Sequence, residues 1–137
     1  MLRRPRTWLI LLAVWWVALF ILSHQSYLHP PGPDIENIDK VEHAAYFTLG
    51  GLCFFCWLRT RRPGISFLAA AGLTIMFCSV TGALDEFHQW FIPNRSGNDP
   101  GDWAADTLGG LLGSVAGAWL HTRLRRQKAP CESGEIL

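Results

Sequence analysis

The sequence predicts an all-α protein, a four-helix transmembrane bundle with both the N-terminus and the C-terminus in the cytoplasm. Three observations predict it. Four apolar blocks, at about 7–22, 43–58, 65–84 and 103–120, alternate with polar segments. Half of the 137 residues are apolar and only 17% are charged, which is unusual for a water-soluble domain of this size. Ten of the twelve Lys and Arg residues fall in three clusters that flank the blocks on alternate sides.

A bilayer core of roughly 30 Å needs about 20 helical residues. The first block follows a basic stretch, RRPR, and is read as an uncleaved helix over about 7–26, because the following SHQS offers no small-x-small cleavage site. The second block reaches spanning length only if helix continues into its polar flank, giving about 38–58. The third fits directly, over about 65–90, and Pro93 stops it. The fourth is expected over about 102–122, with Asp102 placed to cap it. Residues 1–124 thus form one membrane domain, and residues 125–137, which end in QKAPCESGEIL, lack periodicity and are expected to be a disordered cytoplasmic tail.

The basic clusters are Arg3, Arg4, Arg6; Arg59, Arg61, Arg62; and Arg123, Arg125, Arg126, Lys128. The positive-inside rule puts this face in the cytoplasm. Nine of the eleven acidic residues then belong to the outer half, where Lys40 and Arg95 are the only basic residues. The clusters are short and flank membrane helices, so the expected partner is the lipid bilayer and not nucleic acid. Cys53 and Cys56 form CFFC inside the second helix and read as packing residues. The seven Trp residues are expected mostly at the membrane boundaries, as an aromatic belt.

Polar residues collect at the outer ends of three helices. Residues three and four apart share a helix face. Asp39, His43, Tyr46 and Gly50 form one stripe of the second helix; Glu86 and Gln89 share a face of the third. Asp102 and Asp106 begin a stripe of the fourth that continues through Gly109, Gly113 and Gly117. Small residues at such spacing let helices approach closely in lipid, so the face carrying the acids is expected to pack inward. Ionisable residues in a span usually face the interior, pair and mark function, although such a network also serves simply to hold short helices together. Arg95 is the single positive group in the connection from helix three to helix four. It either neutralises the surrounding acids or forks onto a phosphate or carboxylate.

These residues carry a family resemblance. The chain resembles the VanZ-like membrane proteins, whose pattern is similar to D-K-x-x-H-x-x-x-Y-x-x-L-G followed by E-x-x-Q, P-x-R and D-x-x-x-[N/D]-x-x-G. The first part corresponds to Asp39, Lys40, His43, Leu49 and Gly50, with Tyr46 one position before the family's aromatic, where this chain has Phe47. The second corresponds to Glu86, Gln89, Pro93, Arg95, Asp102, Asp106 and Gly109. Ser23 and Gln25 resemble the family's Ser-x-Gln, and Asp106 stands where many relatives carry Asn. The resemblance covers about residues 7–120. It implies a multi-pass integral protein of a bacterial-type plasma (inner) membrane. The founding member is associated with resistance to teicoplanin, a glycopeptide that binds cell-wall precursors.

Three readings of the cluster follow. In the first, a polar pocket on the extracytoplasmic face affects glycopeptide susceptibility by binding a lipid-linked or cell-wall precursor, with Arg95, Lys40, Asp39, Tyr46, Gln89 and Asp102 as ligand-binding residues; a homo-oligomer is compatible with it. In the second, the protein is a membrane-embedded enzyme acting on a lipid phosphate headgroup, with Glu86 or Asp106 as general base and His43 as its acid–base partner. In the third, a divalent metal sits among Asp85, Glu86, Asp102, Asp106 and the histidines, where oxygen-rich ligands suit Mg2+ or Mn2+ better than Zn2+. The third is disfavoured, because Asp85 and Glu86 point about 100° apart on a helix. No cofactor and no resident metal is therefore expected. No His-Glu-x-x-His, Gly-x-Ser-x-Gly or phosphate-loop pattern occurs.

Overall fold

The computed structural model describes residues 2–26, 37–95 and 97–126. They form four α-helices and, among the described residues, no strand: α1 (Pro5–Ser23), α2 (Ile38–Arg61), α3 (Phe67–Gln89) and α4 (Pro100–Arg126). At 1.5 Å per residue these are about 28, 36, 34 and 40 Å long. α1, α2 and α3 are long and apolar enough to cross a membrane. α4 is longer still, but its acids, its glycines and its basic last turn dilute it.

Local chemistry explains the boundaries. Pro5 opens α1, where a missing amide hydrogen costs nothing. α1 ends at Ser23, three residues short of the expected 26. Ser66 caps α3 by accepting from the Ala69 amide (3.1 Å), so that helix starts at Phe67 and not at 65. α4 departs most from expectation. Asp99, not Asp102, caps it: Asp99 Oδ1 accepts from the Gly101 amide at 2.6 Å, and Pro100 takes the first helical position. Asp102 is thereby drawn inside the first turn. At the other end α4 runs on to Arg126, into residues assigned to the tail; the tail's remainder, 127–137, lies outside the described residues, as does most of the loop after α1.

α4 packs most extensively on α2 and next on α3. α1 lies on α2, touches α3 only slightly and does not reach α4. The α2–α4 contact is made backbone to backbone. Cβ atoms built on Gly109 and Gly113 would lie 2.8 Å from the Ala44 carbonyl oxygen and 2.6 Å from the Thr48 carbonyl oxygen. Gly110 faces Ile75 and Cys78 on α3 in the same way. Among the tryptophans, Trp8 and Trp15 are buried against the protein, whereas Trp16, Trp90, Trp103 and Trp119 are exposed. Trp15 and Tyr46 clasp α1 to α2: Trp15 Nε1 donates to the Tyr46 carbonyl (3.0 Å), the Tyr46 hydroxyl donates to the Trp15 carbonyl (2.9 Å), and the rings stack at 5.6 Å.

Much of the outer surface is apolar. Leu9, Ile10, Val14, Val17 and Ile21 of α1 and Leu68, Met76, Val80 and Leu84 of α3 are all exposed. Patches of that extent are rare on proteins that live in water and are the normal outer face in lipid.

Candidate functional site

The N-terminal turns of α2 and α4 lie beside the C-terminal end of α3, and this is where the acids meet. Lys40 is the counter-charge. Its Nζ donates to Asp39 (3.1 Å), Asp99 (3.0 Å) and Asp102 Oδ1 (3.2 Å). One ammonium thus ties the start of α2 to the cap and first turn of α4. The Lys40 ammonium, and after it the Gly101 amide, hold the Asp99 carboxyl below its ordinary range.

One turn deeper, His43 Nδ1 lies 2.9 Å from Asp106 Oδ1, and Asp106 is fully buried. With Asp106 ionised, Nδ1 carries the proton and donates it, which leaves Nε2 as the lone-pair nitrogen. Nε2 faces Asp102 Oδ2 at 3.9 Å, beyond hydrogen-bonding reach. Glu86 arrives from α3. Its Oε2 accepts from the Asp99 amide (2.7 Å), while its Oε1, buried, has no hydrogen-bond partner among the described residues. Gly82, one turn before Glu86, leaves room for the Asp106 carboxylate; a side chain there would collide with it.

A second polar group lies on the α1 side of α3. Ser23 donates to Asp85 Oδ1, and Gln89 Nε2 donates to both Asp85 Oδ2 (2.7 Å) and Ser23 Oγ (3.1 Å). All three residues are buried. This is the main polar tie between α1 and α3. Nearby, His24 and His88 stack with Phe20 on the exposed surface.

Between these groups lies a cavity of about 860 Å³. Its lining includes Leu19, Leu22 and Phe47 with Ser23, His43, Tyr46, Asp85, Gln89, Arg95 and Asp102. Sparse contact between α1 and α3 leaves this space open. A smaller cavity at the basic end, about 620 Å³, is lined by Trp57, Leu58, Arg61, Arg62 and Leu73.

The family model VanZ/LLP1 matches residues 7–121, from the first turn of α1 to the last turns of α4. The chain belongs to the VanZ/LLP1 family. No curated protein and no solved structure matches it.

In this VanZ/LLP1 chain, then, Lys40, His43, Glu86, Asp102 and Asp106 come together, with Asp39 at the rim. Three expected placements differ. Gln89 turns from Glu86 to Asp85, its i, i+4 neighbour, and to Ser23 of α1. Tyr46 lines the cavity, but its hydroxyl is committed to α1. Arg95 lines the cavity half-buried and makes no ion pair with the described residues; Lys40 takes the neutralising role instead. Two contributors have a sequence signal that the helix-face pattern does not use. Asp99 stands directly before Pro100, a cap signal. Asp85, a candidate metal ligand by its sequence position, instead pairs with Ser23 of the Ser-x-Gln resemblance.

Proposed function

We propose that this VanZ/LLP1 protein is a multi-pass protein of a bacterial-type plasma membrane. All four helices cross it, both termini are cytoplasmic, and the acidic end faces outward. There the cavity takes the anionic headgroup of a lipid-linked or cell-wall precursor, and by doing so the protein would alter susceptibility to glycopeptides such as teicoplanin. A single observation carries this reading: Arg95 lies at a cavity of lipid-headgroup size, without an ion-pair partner among the described residues, beside acids that Lys40 already serves. An arginine fork is suited to phosphate, and the apolar lining from Leu19, Leu22 and Phe47 suits the first part of a lipid chain. His43, Tyr46, Gln89 and Asp102 would line the bound headgroup.

The test is binding of a polyprenyl phosphate to the full chain in nanodiscs. Arg95→Ala should weaken binding roughly 10-fold or more, the worth of a charge-assisted hydrogen bond of about 1.5–3 kcal/mol. Equal binding by the variant would refute the role given to Arg95. In a complementation assay, Arg95→Ala, His43→Ala and Glu86→Gln should insert normally and lose the phenotype. Full activity in all three would remove the site.

A second reading has its own support. His43 lies between the carboxylates of Asp106 and Asp102, and Glu86 of the same cluster has an oxygen without a hydrogen-bond partner among the described residues, an arrangement suited to acid–base work on a headgroup. Accumulation of an unprocessed lipid-linked species in a deletion strain would support this enzyme; unchanged pools with altered glycopeptide susceptibility would support the binder.

A further inference from the structure

We infer that His43, Glu86 and Asp102 form a binding site for a divalent transition-metal cation, with Asp106 orienting the histidine. The site is independent of Arg95 and of any headgroup. One donor atom from each of the three side chains lies within 4.8 Å of the other two. Around a bound ion at 2.0–2.2 Å, donor atoms sit roughly 3 Å apart. The 3.9 Å between His43 Nε2 and Asp102 Oδ2 is too long for a hydrogen bond and needs only small side-chain rotations to become such a pair.

Proximity of acids alone does not make a site; two further features do. Glu86 is 3% exposed, and its Oε1 has no hydrogen-bond partner among the described residues, a costly state for a buried carboxylate oxygen unless a cation takes it. His43 is also already arranged as a ligand. Its Nδ1–H is held by the buried Asp106, which fixes the tautomer and leaves the Nε2 lone pair toward Asp102, with Glu86 in the same cluster. Metal-bound histidines are usually oriented this way by a carboxylate on their second nitrogen.

Charge supports the same conclusion. Asp39, Asp99 and Asp102 share Lys40, but that ammonium is spent on the rim. Asp102 uses Oδ1 for Lys40 and keeps Oδ2 for the inner side. Among the described residues, Asp106 has no cationic partner other than His43 and Glu86 has no ion pair, and charging His43 would require Nε2 to give up its lone pair. A divalent ion on Nε2 balances these acids and leaves the imidazole neutral. The other acidic trio, Asp39, Asp99 and Asp102, is the Lys40 site and is not a metal site. One imidazole with two carboxylates suits Zn2+ or Mn2+ more than Ca2+.

The experiment uses the full chain in detergent, stripped with a chelator and titrated with Zn2+ or Mn2+. Readouts are metal content per chain and the shift of thermal unfolding. One of the two ions should bind at one equivalent and raise the unfolding temperature. Glu86→Gln and Asp102→Asn should each weaken binding at least 10-fold, and Asp106→Asn about 10–100-fold while keeping one equivalent at saturation. Arg95→Ala should leave binding unchanged, so that loss of this site and loss of the headgroup reading are told apart. Helix content by circular dichroism confirms that each variant is folded. Substoichiometric uptake of both ions, or uptake that survives both Glu86→Gln and Asp102→Asn in folded protein, overturns the inference.

Discussion

Ser23 is a small residue with a large structural task. At 2% exposure it donates to Asp85 and accepts from Gln89, tying α1 to α3 where few other contacts join them. Ser23→Ala leaves Asp85 Oδ1 buried without that donor, a loss of about 1–3 kcal/mol. Thermal unfolding in detergent should show it, and Ser23→Thr should recover part of the loss by restoring the hydroxyl. Asp99 makes a different prediction. Lys40 and the Gly101 amide lower its pKa from 3.8, so its contribution to stability is fully present above that value. It is lost as pH falls through the lowered folded value. The stability difference between wild type and Asp99→Asn should therefore be constant at neutral pH and shrink once pH drops below 3.8.

At the scale of the element, α4 decides how close the other helices come. Its glycines meet α2 and α3 backbone, so added volume has nowhere to go. A Cβ at Gly113 would lie 2.6 Å from the Thr48 carbonyl oxygen and 2.7 Å from the Leu52 amide nitrogen. Neither is the movable end of a side chain. Gly113→Ala should cost about 1–3 kcal/mol, the usual penalty of overpacking, visible as a lowered unfolding temperature. It should also weaken binding at the acidic end, because shifting α4 moves Asp102 and Asp106 away from His43. Gly72, which meets nothing within 4 Å, is the control: Gly72→Ala should be neutral or stabilising.

At the scale of the whole molecule, α1 and α3 run parallel to each other and antiparallel to α2 and α4, as Ser23 with Asp85, and Lys40 with Asp102, require. One end of the helices gathers arginines and the other the acids. In the proposed orientation, with the basic end in the cytoplasm, a single cysteine placed at Asn98 in a cysteine-free background should react with an impermeant maleimide added to intact cells. One placed at Arg62 should react only after permeabilisation. Reversed labelling would invert the orientation.

What the sequence determined by itself was the helical architecture and the end at which the ionisable residues collect. Apolar blocks of spanning length, Arg clusters at alternate ends and acids at three helix ends are one-dimensional signals, and family-pattern residues such as His43, Glu86 and Asp106 stand at readable spacing. Partner choice was decided only in three dimensions. Whether Gln89 serves Glu86 or Asp85, and whether Lys40 or Arg95 neutralises the acids, depends on helix rotation and on angstrom-scale distances. Hydrogen bonds and ion pairs fall off over such distances, while the hydrophobic pattern that places the helices does not resolve them.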